Sequence, residues 1–259
     1  MKSSFKQTFR ELKPFLALWL TQAFSSLGSA MTNFALVIWL YNRTGSALTT
    51  ALLTVCSYAP YVLMSIFAGA ISDRWNKRAV LLICDTLAAA CTLVVLYLLR
   101  TEQLVAWHLY ALNALNGLMN TVQSPAADVA VTLLTPEKHY QKTSGLRSLS
   151  NSLVTILTPV FATALVTLLS VEAVIYFDLF TFAAAFLSLL FIIRIPEENK
   201  PAQKKESILS SAKTGLVWLS HNQGILWLIL FLAAINLIAS VYNAALPALV
   251  LSRPFGGEA

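Results

Sequence analysis

Apolar residues along the chain form seven long blocks that are separated by shorter polar or charged stretches. Each block is free of Lys and Arg and reaches the roughly 20 residues that a helix needs to cross about 30 Å of hydrocarbon. The pattern therefore predicts seven membrane-spanning helices. They cover residues 14–41, 46–72, 79–99, 105–127, 149–169, 173–193 and 224–251.

Polar residues are distributed unevenly among these predicted helices. In the first, fourth and seventh they recur mostly at every third or fourth position, which places them along one side of a helix. Polar side chains are costly in lipid, so we expect these three helices to line a cavity and the nearly apolar third and sixth helices to face lipid. The alternative is that Ser, Thr and Asn only join neighbouring helices. The polar stripes are Gln22, Ser25, Ser26, Ser29, Thr32 and Asn33; Asn113, Asn116, Asn120, Ser124 and Asp128; and Asn236, Ser240, Asn243 and Pro247.

Charged residues make up 12% of the chain, against about 25% in an ordinary globular domain. The net charge is +6, yet fifteen of the 18 Lys and Arg residues fall on one side of the membrane if the amino terminus is cytoplasmic. This bias follows the positive-inside rule and explains the basic charge without a nucleic-acid partner. We therefore predict a multi-pass protein of the plasma membrane, or of the inner membrane in a Gram-negative cell, with a cytoplasmic amino terminus and the lipid bilayer as its partner.

One connector is longer and more polar than the others. Residues 194–223 contain the stretch IPEENKPAQKKE, which is typical of a solvated linker, and then SILSSAKTGLVWLS, in which apolar residues recur at helical spacing. This predicts a cytoplasmic linker with a short amphipathic helix on the inner membrane surface. The chain is thus predicted to divide into a six-helix half over residues 1–193, the linker over 194–223, and a seventh helix with the start of a second half over 224–259.

Residues that commonly serve in catalysis or metal binding are few and scattered. The three cysteines lie inside predicted spans, and the three histidines lie near different helix ends. The sequence contains no Ser/His/Asp grouping, metal-ligand spacing or glycine-rich phosphate loop. We predict that the protein is not an enzyme and has no metal site and no cofactor. These residues are Cys56, Cys84, Cys91, His108, His139 and His221.

The turn between the second and third predicted helices carries an unusual run of charge. Its sequence resembles the loop motif of the major facilitator superfamily, Gly-x-x-x-Asp-Arg-x-Gly-Arg-Lys/Arg, and it occupies the same place between two helices. The resemblance implies an all-α polytopic helix bundle built from repeats of three helices, and a secondary active transporter of small molecules that works by alternating access. The matching residues are Gly69, Asp73, Arg74, Lys77 and Arg78, and Asn76 occupies the position of the motif's second glycine.

The resemblance also implies roles for this turn. In the family such a motif is understood to latch the two halves on the cytoplasmic side in the outward-open state, so Asp73 and Arg74 are expected to act in gating. Asp128, at the inner end of the fourth helix, is expected to join their charge cluster. Asn76 stands where the family has glycine, and because Asn tolerates a left-handed backbone we expect the turn geometry to be kept. The basic residues of the turn are also explained as topology markers alone.

A second resemblance concerns the branch of the family. The aspartates in the third and sixth helices, together with TPEKHYQKTSGLRSLSNS before the fifth, look like the drug and macrolide exporter branch. This implies a proton antiporter that exports drug-like or macrolide-like molecules and confers drug resistance. Exporters often carry Gly-Pro-x-x-Gly-Gly in the fifth helix, whereas this chain keeps only Pro159 of that motif. Import, or export of another small solute, is therefore the alternative.

Asp85 and Asp178 lie inside predicted spans. Charge is costly in hydrocarbon, so carboxylates embedded there are functional candidates by default. A proton-driven exporter needs a carboxylate that alternates between its charged and neutral forms, and both residues are candidates for that proton coupling. The alternative for Asp85 is a permanent structural bridge to Lys77 or Arg147.

The chain is shorter than the two six-helix halves that the resemblance implies. We expect that it lacks the carboxyl-terminal helices that would be its partner and does not complete a transport cycle alone, and a non-transporting membrane fragment is a further alternative. Substrate is expected near the middle of the bilayer. The predicted substrate site comprises Gln22, Asn33, Tyr58, Tyr61, Asn113, Asn116, Asn120 and Asn236.

Overall fold

A computed structural model describes residues 2–196 and 208–252. Within these residues the chain forms eight α-helices and no β-strand, so the predicted all-α helix bundle is confirmed. The helices are α1 Lys2–Thr44, α2 Ala47–Arg74, α3 Lys77–Arg100, α4 Ala106–Leu134, α5 Tyr140–Leu168, α6 Val171–Leu187, α7 Ile208–His221 and α8 Gln223–Ser252. Only the backbone is described at residues 2–9, 47, 66, 69–70, 72–74, 208–213, 216, 237 and 240–252.

The ends of the helices follow from a few residues with clear local roles. After α1 the chain turns at Gly45, whose φ of +64° is a left-handed conformation that glycine adopts without a steric cost. The next helix begins at Ser46, whose hydroxyl oxygen accepts a hydrogen bond from the Thr49 amide at 3.3 Å. Ser170 caps α6 in the same way, with the Ala173 amide 3.3 Å from its hydroxyl oxygen. These caps keep the turns short and make consecutive helices antiparallel.

Two apolar clusters close the opposite ends of the bundle formed by α1 to α6. The first joins the beginnings of α1 and α3 to the ends of α4 and α6, and it includes Phe15, Leu81, Leu134 and Leu189. The second joins the ends of α1 and α3 to the beginnings of α2, α4 and α6. Its buried members are Leu36, Leu40, Leu53, Val95, Leu96, Leu104, Leu109 and Ile175. The polar cavity described below lies between these two clusters.

The packing of α1 to α6 repeats after three helices. Helix α1 packs on α5 and α6, and its counterpart α4 packs on α2 and α3. In each three-helix half, α1 to α3 and α4 to α6, one aromatic side chain donates a hydrogen bond to a backbone carbonyl of the other half. Trp19 Nε1 donates to the Leu146 carbonyl at 3.1 Å, and the Tyr110 hydroxyl donates to the Thr49 carbonyl at 2.9 Å. These paired contacts agree with the predicted three-plus-three arrangement.

Five helical segments of the described chain are long and apolar enough to cross a membrane. Helix α4 is long enough to cross a membrane, but the asparagines of its polar stripe lower its mean hydropathy. In α8 the described apolar stretch, Gln223–Asn236, is too short to cross. The prediction of seven spans therefore stays a prediction for these two helices. The five segments are Arg10–Thr44, Leu48–Ser65, Lys77–Arg100, Glu137–Leu168 and Val171–Ile192.

The expectation that the third and sixth helices only face lipid is wrong. On α3, Tyr97 and Ile83 point outward, whereas Asp85 is buried at 8% exposure. On α6, Phe180 is exposed, whereas Asp178 is buried at 4% exposure. Both helices pack on other helices of the bundle and on one another. Their single aspartates therefore lie on the inner face, which average composition does not distinguish from the outer one.

Residues 205–259 form a separate compact unit that contains α7 and α8. A helix is present where the amphipathic segment was predicted. It ends at His221, and Asn222 links it to α8 with its amide group 2.8 Å from the Trp218 carbonyl. The position of α7 on the membrane surface, and the division of the chain at residues 193 and 223, stay predictions.

Candidate functional site: a polar cavity inside the helix bundle

A cavity of about 470 Å³ lies inside the bundle formed by α1 to α6. Most of its wall comes from α1, α3, α4, α5 and α6, so the third and sixth helices line it together with the first and fourth. Five predicted substrate-site residues border it: Gln22, Asn33, Asn113, Asn116 and Asn120. Their contact with a substrate stays a prediction.

A second cavity of about 450 Å³ shares part of this wall. It is bordered by Tyr58 and Tyr61 of α2 and also by Asn33, Asn113 and Asn120. The structure thus places the two predicted aromatic residues beside three of the predicted asparagines. Asn236 belongs to the separate second unit, where its amide group donates to the Leu232 carbonyl of its own helix at 2.8 Å. Its inclusion in the substrate site stays a prediction.

Asp85 is held in the wall of the first cavity by two glutamines from two other helices. Gln123 Nε2 on α4 donates to Asp85 Oδ1 at 2.6 Å, and Gln22 Nε2 on α1 donates to Asp85 Oδ2 at 3.4 Å. A buried carboxylate needs hydrogen-bond donors or a cation, and here the donors are neutral amides. The Asp85 carboxylate therefore connects three helices without an ion pair among the described residues.

The predicted structural bridge from Asp85 to Lys77 or Arg147 is wrong. Arg147 on α5 pairs instead with Asp128 on α4. Lys77 is buried at 8% exposure, and its ammonium group donates to the Trp75 carbonyl at 3.2 Å. Lys77 begins α3 and Asp85 follows eight residues later, roughly two turns or 12 Å along the helix, so the lysine lies at the α2–α3 turn and not at the cavity.

Asp178 on α6 packs against α1 at a point where the backbones of these two helices come close together. The Ser29 hydroxyl donates to Asp178 Oδ1 at 2.9 Å. The contact depends on Gly28, because a Cβ added there would lie 2.9 Å from the Asp178 Cα atom and closer still to the Thr181 hydroxyl. A side chain at position 28 would force α1 and α6 apart. The glycine therefore brings the Ser29 hydroxyl within reach of the carboxylate.

The α2–α3 turn has a different geometry from the one expected. Asn76 has φ −59° and ψ 120°, so the prediction of a left-handed turn at this position is wrong. Its side-chain oxygen accepts a hydrogen bond from the Ala79 amide at 3.1 Å and caps α3. Asn is favoured in that capping role, which glycine fills without a side chain.

Arg78, the last residue of the motif, contacts the end of α6. Its Nε donates to the Leu189 carbonyl at 3.1 Å, and its Nη2 donates to the Leu190 carbonyl at 2.6 Å. Both carbonyls belong to the π-helical turn Ser188–Ile192 that follows α6. The guanidinium group therefore satisfies carbonyls at a helix end, where a cation is favoured.

The remaining gating predictions are not decided by these contacts. The side chains of Asp73 and Arg74, and the surroundings of Gly69, lie outside what the structure describes. Asp128 has Arg147 as a partner, and both side chains are about half exposed. The membership of Asp128 in a charge cluster with Asp73 and Arg74 stays a prediction.

Gln123, Gly28 and Gly117 are structurally important residues that the sequence analysis did not single out. Gln123 follows Asn120 by three positions, so extending the polar stripe of α4 would have identified it. The two glycines gave no comparable signal, because their importance depends on which backbone lies opposite. At Gly117 an added Cβ would lie 3.0 Å from the Ser57 carbonyl carbon and closer still to its oxygen.

The described residues contain no group of three or more His, Cys, Asp or Glu side chains that could hold a metal ion. The charged residues that border the first cavity are Asp85, Asp178 and Arg147. The arrangement is a water-accessible polar cavity with two carboxylates in its wall.

Comparisons with known proteins agree with this architecture. The sequence profile of the Major Facilitator Superfamily matches residues 18–257. The chain is similar to macrolide efflux protein A of Streptococcus pyogenes, with 24% identity over 234 residues that cover 90% of this chain and 58% of that protein. It is also similar to macrolide efflux protein A of Enterococcus faecalis, with 22% identity over 204 residues covering 78% of this chain and 62% of that protein.

A third relative is the uncharacterised MFS-type transporter YkuC of Bacillus subtilis, which is 23% identical over 187 residues covering 72% of this chain and 43% of that protein. The chain thus spans less than two thirds of the length of these relatives. Because the family profile covers nearly all of the chain, from α1 to beyond α8, this polytopic helical protein belongs to the Major Facilitator Superfamily of transporters.

Proposed function

We propose that this chain forms the substrate cavity of a secondary active transporter that exports amphipathic, macrolide-like small molecules in exchange for protons. The observation that carries the proposal is the cavity inside the six-helix bundle, where two buried carboxylates lie beside a polar wall. Such a site suits a solute with both polar and apolar surfaces, since asparagine amides alternate there with Leu, Val and Ala side chains.

The direction of transport and the class of substrate rest on the relatives. Two of them are named as macrolide efflux proteins, at 24% and 22% identity. Asp85 and Asp178 supply the groups that a proton-coupled exchange needs, because neither carboxylate has a cation partner among the described residues. We place the protein in the plasma membrane, or in the inner membrane of a Gram-negative cell, with its amino terminus in the cytoplasm.

Gating is assigned to the α2–α3 turn and its surroundings. Arg78 connects this turn to the end of α6, and Asp128 connects α4 to α5 through Arg147. A movement at the contact of Arg78 would act directly on α3 and α6, which carry the two cavity carboxylates, and α4 and α5 pack on those two helices. Asp73 and Arg74 are proposed to complete this cytoplasmic gate.

Cells that make the chain alone are expected to match an empty vector. The test is therefore the accumulation of radiolabelled erythromycin in macrolide-susceptible cells that make the chain together with the carboxyl-terminal helices expected as its partner. We expect these cells to hold less of the drug than cells with an empty vector, and a protonophore should abolish the difference. Gly145→Ala, on a part of α5 with no atom within 4 Å of the added methyl group, should behave as the wild type. The double variant Asp85→Asn, Asp178→Asn should accumulate the drug as the vector control does.

Two other results would change the proposal. A protonophore-sensitive rise in drug content would show import, which is the alternative that the incomplete exporter motif around Pro159 leaves open. Equal accumulation in cells with and without the chain and its partner helices, where both are shown to be folded in the membrane, would contradict macrolide export through this cavity.

A further inference from the structure

Asp85 and Asp178 are surrounded by different kinds of hydrogen-bond donor. Both oxygens of Asp85 accept from side-chain amides, with Gln123 at 2.6 Å and Gln22 at 3.4 Å. Asp178 Oδ1 instead accepts from the Ser29 hydroxyl at 2.9 Å. Ser29 lies seven residues after Gln22, roughly two turns along the same face of α1, so this helix presents an amide to one carboxylate and a hydroxyl to the other.

An amide NH₂ group and a hydroxyl respond differently when a carboxylate takes up a proton. A charged carboxylate only accepts hydrogen bonds, whereas a protonated one carries an O–H that must donate. An amide NH₂ group only donates. The O–H of a protonated Asp85 would therefore face an N–H group until one glutamine side chain rotated to present its carbonyl oxygen. A hydroxyl both donates and accepts, so Ser29 can reverse its hydrogen bond to Asp178 by rotating about one bond.

The charged surroundings do not offset this difference. The titratable side chains that border the cavity are Asp85, Cys91, Arg147 and Asp178, and Arg147 pairs with Asp128. Helices α1 and α4 face Asp85 with Gln22 and Gln123, and α1 faces Asp178 with Ser29. In the described chain no ion pair joins either carboxylate to α1, α3, α4 or α5. The donors themselves therefore decide how each site tolerates a proton.

We infer that the two carboxylates have separate roles in the proposed exchange: Asp178 takes up and releases the proton, with Ser29 as its positioning residue, while Asp85 keeps its negative charge between two glutamines. This inference rests on the proposed function for its meaning in transport. The assignment of the proton itself rests on the donor geometry. It distinguishes two residues that the sequence alone makes joint candidates for proton coupling.

The test is an infrared pH titration of the protein reconstituted in lipid, following the C=O band of protonated carboxyl groups. The wild-type spectrum should gain a band on acidification that is lost in Asp178→Asn and retained in Asp85→Asn. Ser29→Ala should shift the midpoint of that band, and Ser29→Thr should restore it, because threonine keeps the hydroxyl. Ser29 lies open to the cavity, so this pair tests the site without depending on the folding of Asp178→Asn.

The matched comparison on the other carboxylate is Gln123→Leu. It should leave the Asp178 band unchanged and allow a second carboxyl band to appear on acidification, because the amide that opposes the proton has been removed. Loss of the wild-type band in Asp85→Asn, with retention in Asp178→Asn, would overturn the inference. A titrating band that neither substitution alters would overturn it as well.

The titration does not require transport, so the two proposals can fail separately. If the drug-accumulation test is negative but the spectra are as expected, macrolide export is contradicted and the assignment of the proton to Asp178 holds. If export is observed and the titrating band belongs to Asp85, the export proposal holds and the present inference is wrong.

Discussion

The two three-helix halves of the bundle, α1 to α3 and α4 to α6, share their packing and differ in their polar chemistry. Each half has a glycine at a close helix contact, Gly28 or Gly117, and each has one buried aspartate on its third helix, Asp85 or Asp178. The aspartate of the first half is held by two amides, and that of the second by a hydroxyl. Packing contacts thus fix where the helices lie, while one or two polar side chains donate to each carboxylate.

The halves also differ in how their third helices end. The end of α3 is closed by its own chain, because the Gln103 and Leu104 amides donate to the Leu98 carbonyl at 2.9 and 3.0 Å. The end of α6 opens into a π-helical turn, and its carbonyls are satisfied by Arg78 from the other half. One helix end is therefore self-contained and the other depends on the charged α2–α3 turn.

The largest effect is expected at the glycine of α4. Gly117→Ala would place a methyl group against the Ser57 backbone, which cannot move without separating α2 from α4. We expect a loss of stability of about 3 kcal/mol or more, at the upper end for overpacking. The measurement is the midpoint of thermal unfolding in detergent. The matched control is Gly145→Ala, which meets no atom within 4 Å and should be neutral or stabilising by up to about 1 kcal/mol.

A smaller effect is expected at the glycine of α1. In Gly28→Ala the nearest atom is the Thr181 hydroxyl, with the Asp178 Cα atom at 2.9 Å, so part of the clash is with a side chain. We expect a loss of about 1–3 kcal/mol in the same unfolding assay. Adding Thr181→Ala should restore part of it. If Gly28→Ala is as stable as Gly145→Ala, the close approach of α1 and α6 is contradicted.

A third prediction concerns the helix end that depends on the other half. Arg78→Gln removes two charge-assisted hydrogen bonds to the Leu189 and Leu190 carbonyls. These bonds are partly exposed, so we expect a loss of about 1–2 kcal/mol and not the full value for buried charged donors. Arg78→Lys should recover less than half, because lysine cannot donate from two nitrogens. Equal unfolding midpoints for Arg78→Gln and wild type would show that α6 ends independently of this turn.

The smallest effect is expected at the cap of α3. Asn76→Ala removes the side-chain oxygen that accepts from the Ala79 amide, and caps of this kind contribute about 1 kcal/mol. Asn76→Gly, which restores the family's usual residue, should cost only a few tenths of that amount. The unfolding midpoints of the two variants separate a capping role from a need for left-handed backbone. A glycine variant more stable than the wild type would favour the left-handed requirement.

Sequence patterns predicted most of the helices and part of the site. The polar spacing of α1 and α4 correctly indicated helices that border a cavity, because residues three or four apart share a helix face. The same reasoning failed for α3 and α6, since one aspartate in an apolar helix gives no periodic signal. It also missed the partners of Asp85, because Gln22 and Gln123 are 63 and 38 residues away from it in the chain.

The amino-acid sequence by itself determined that the chain is a multi-pass helical membrane protein, and it predicts that the basic residues lie mostly on one side of the membrane. Both conclusions depend on composition and local spacing, which do not change with the packing of the helices. The tertiary structure alone decided that Arg147 pairs with Asp128, that Arg78 holds the end of α6, and that Asp85 and Asp178 receive different donors. The physical reason is that each of these contacts joins helices whose mutual distance and rotation are set by close backbone packing, which no single helix encodes.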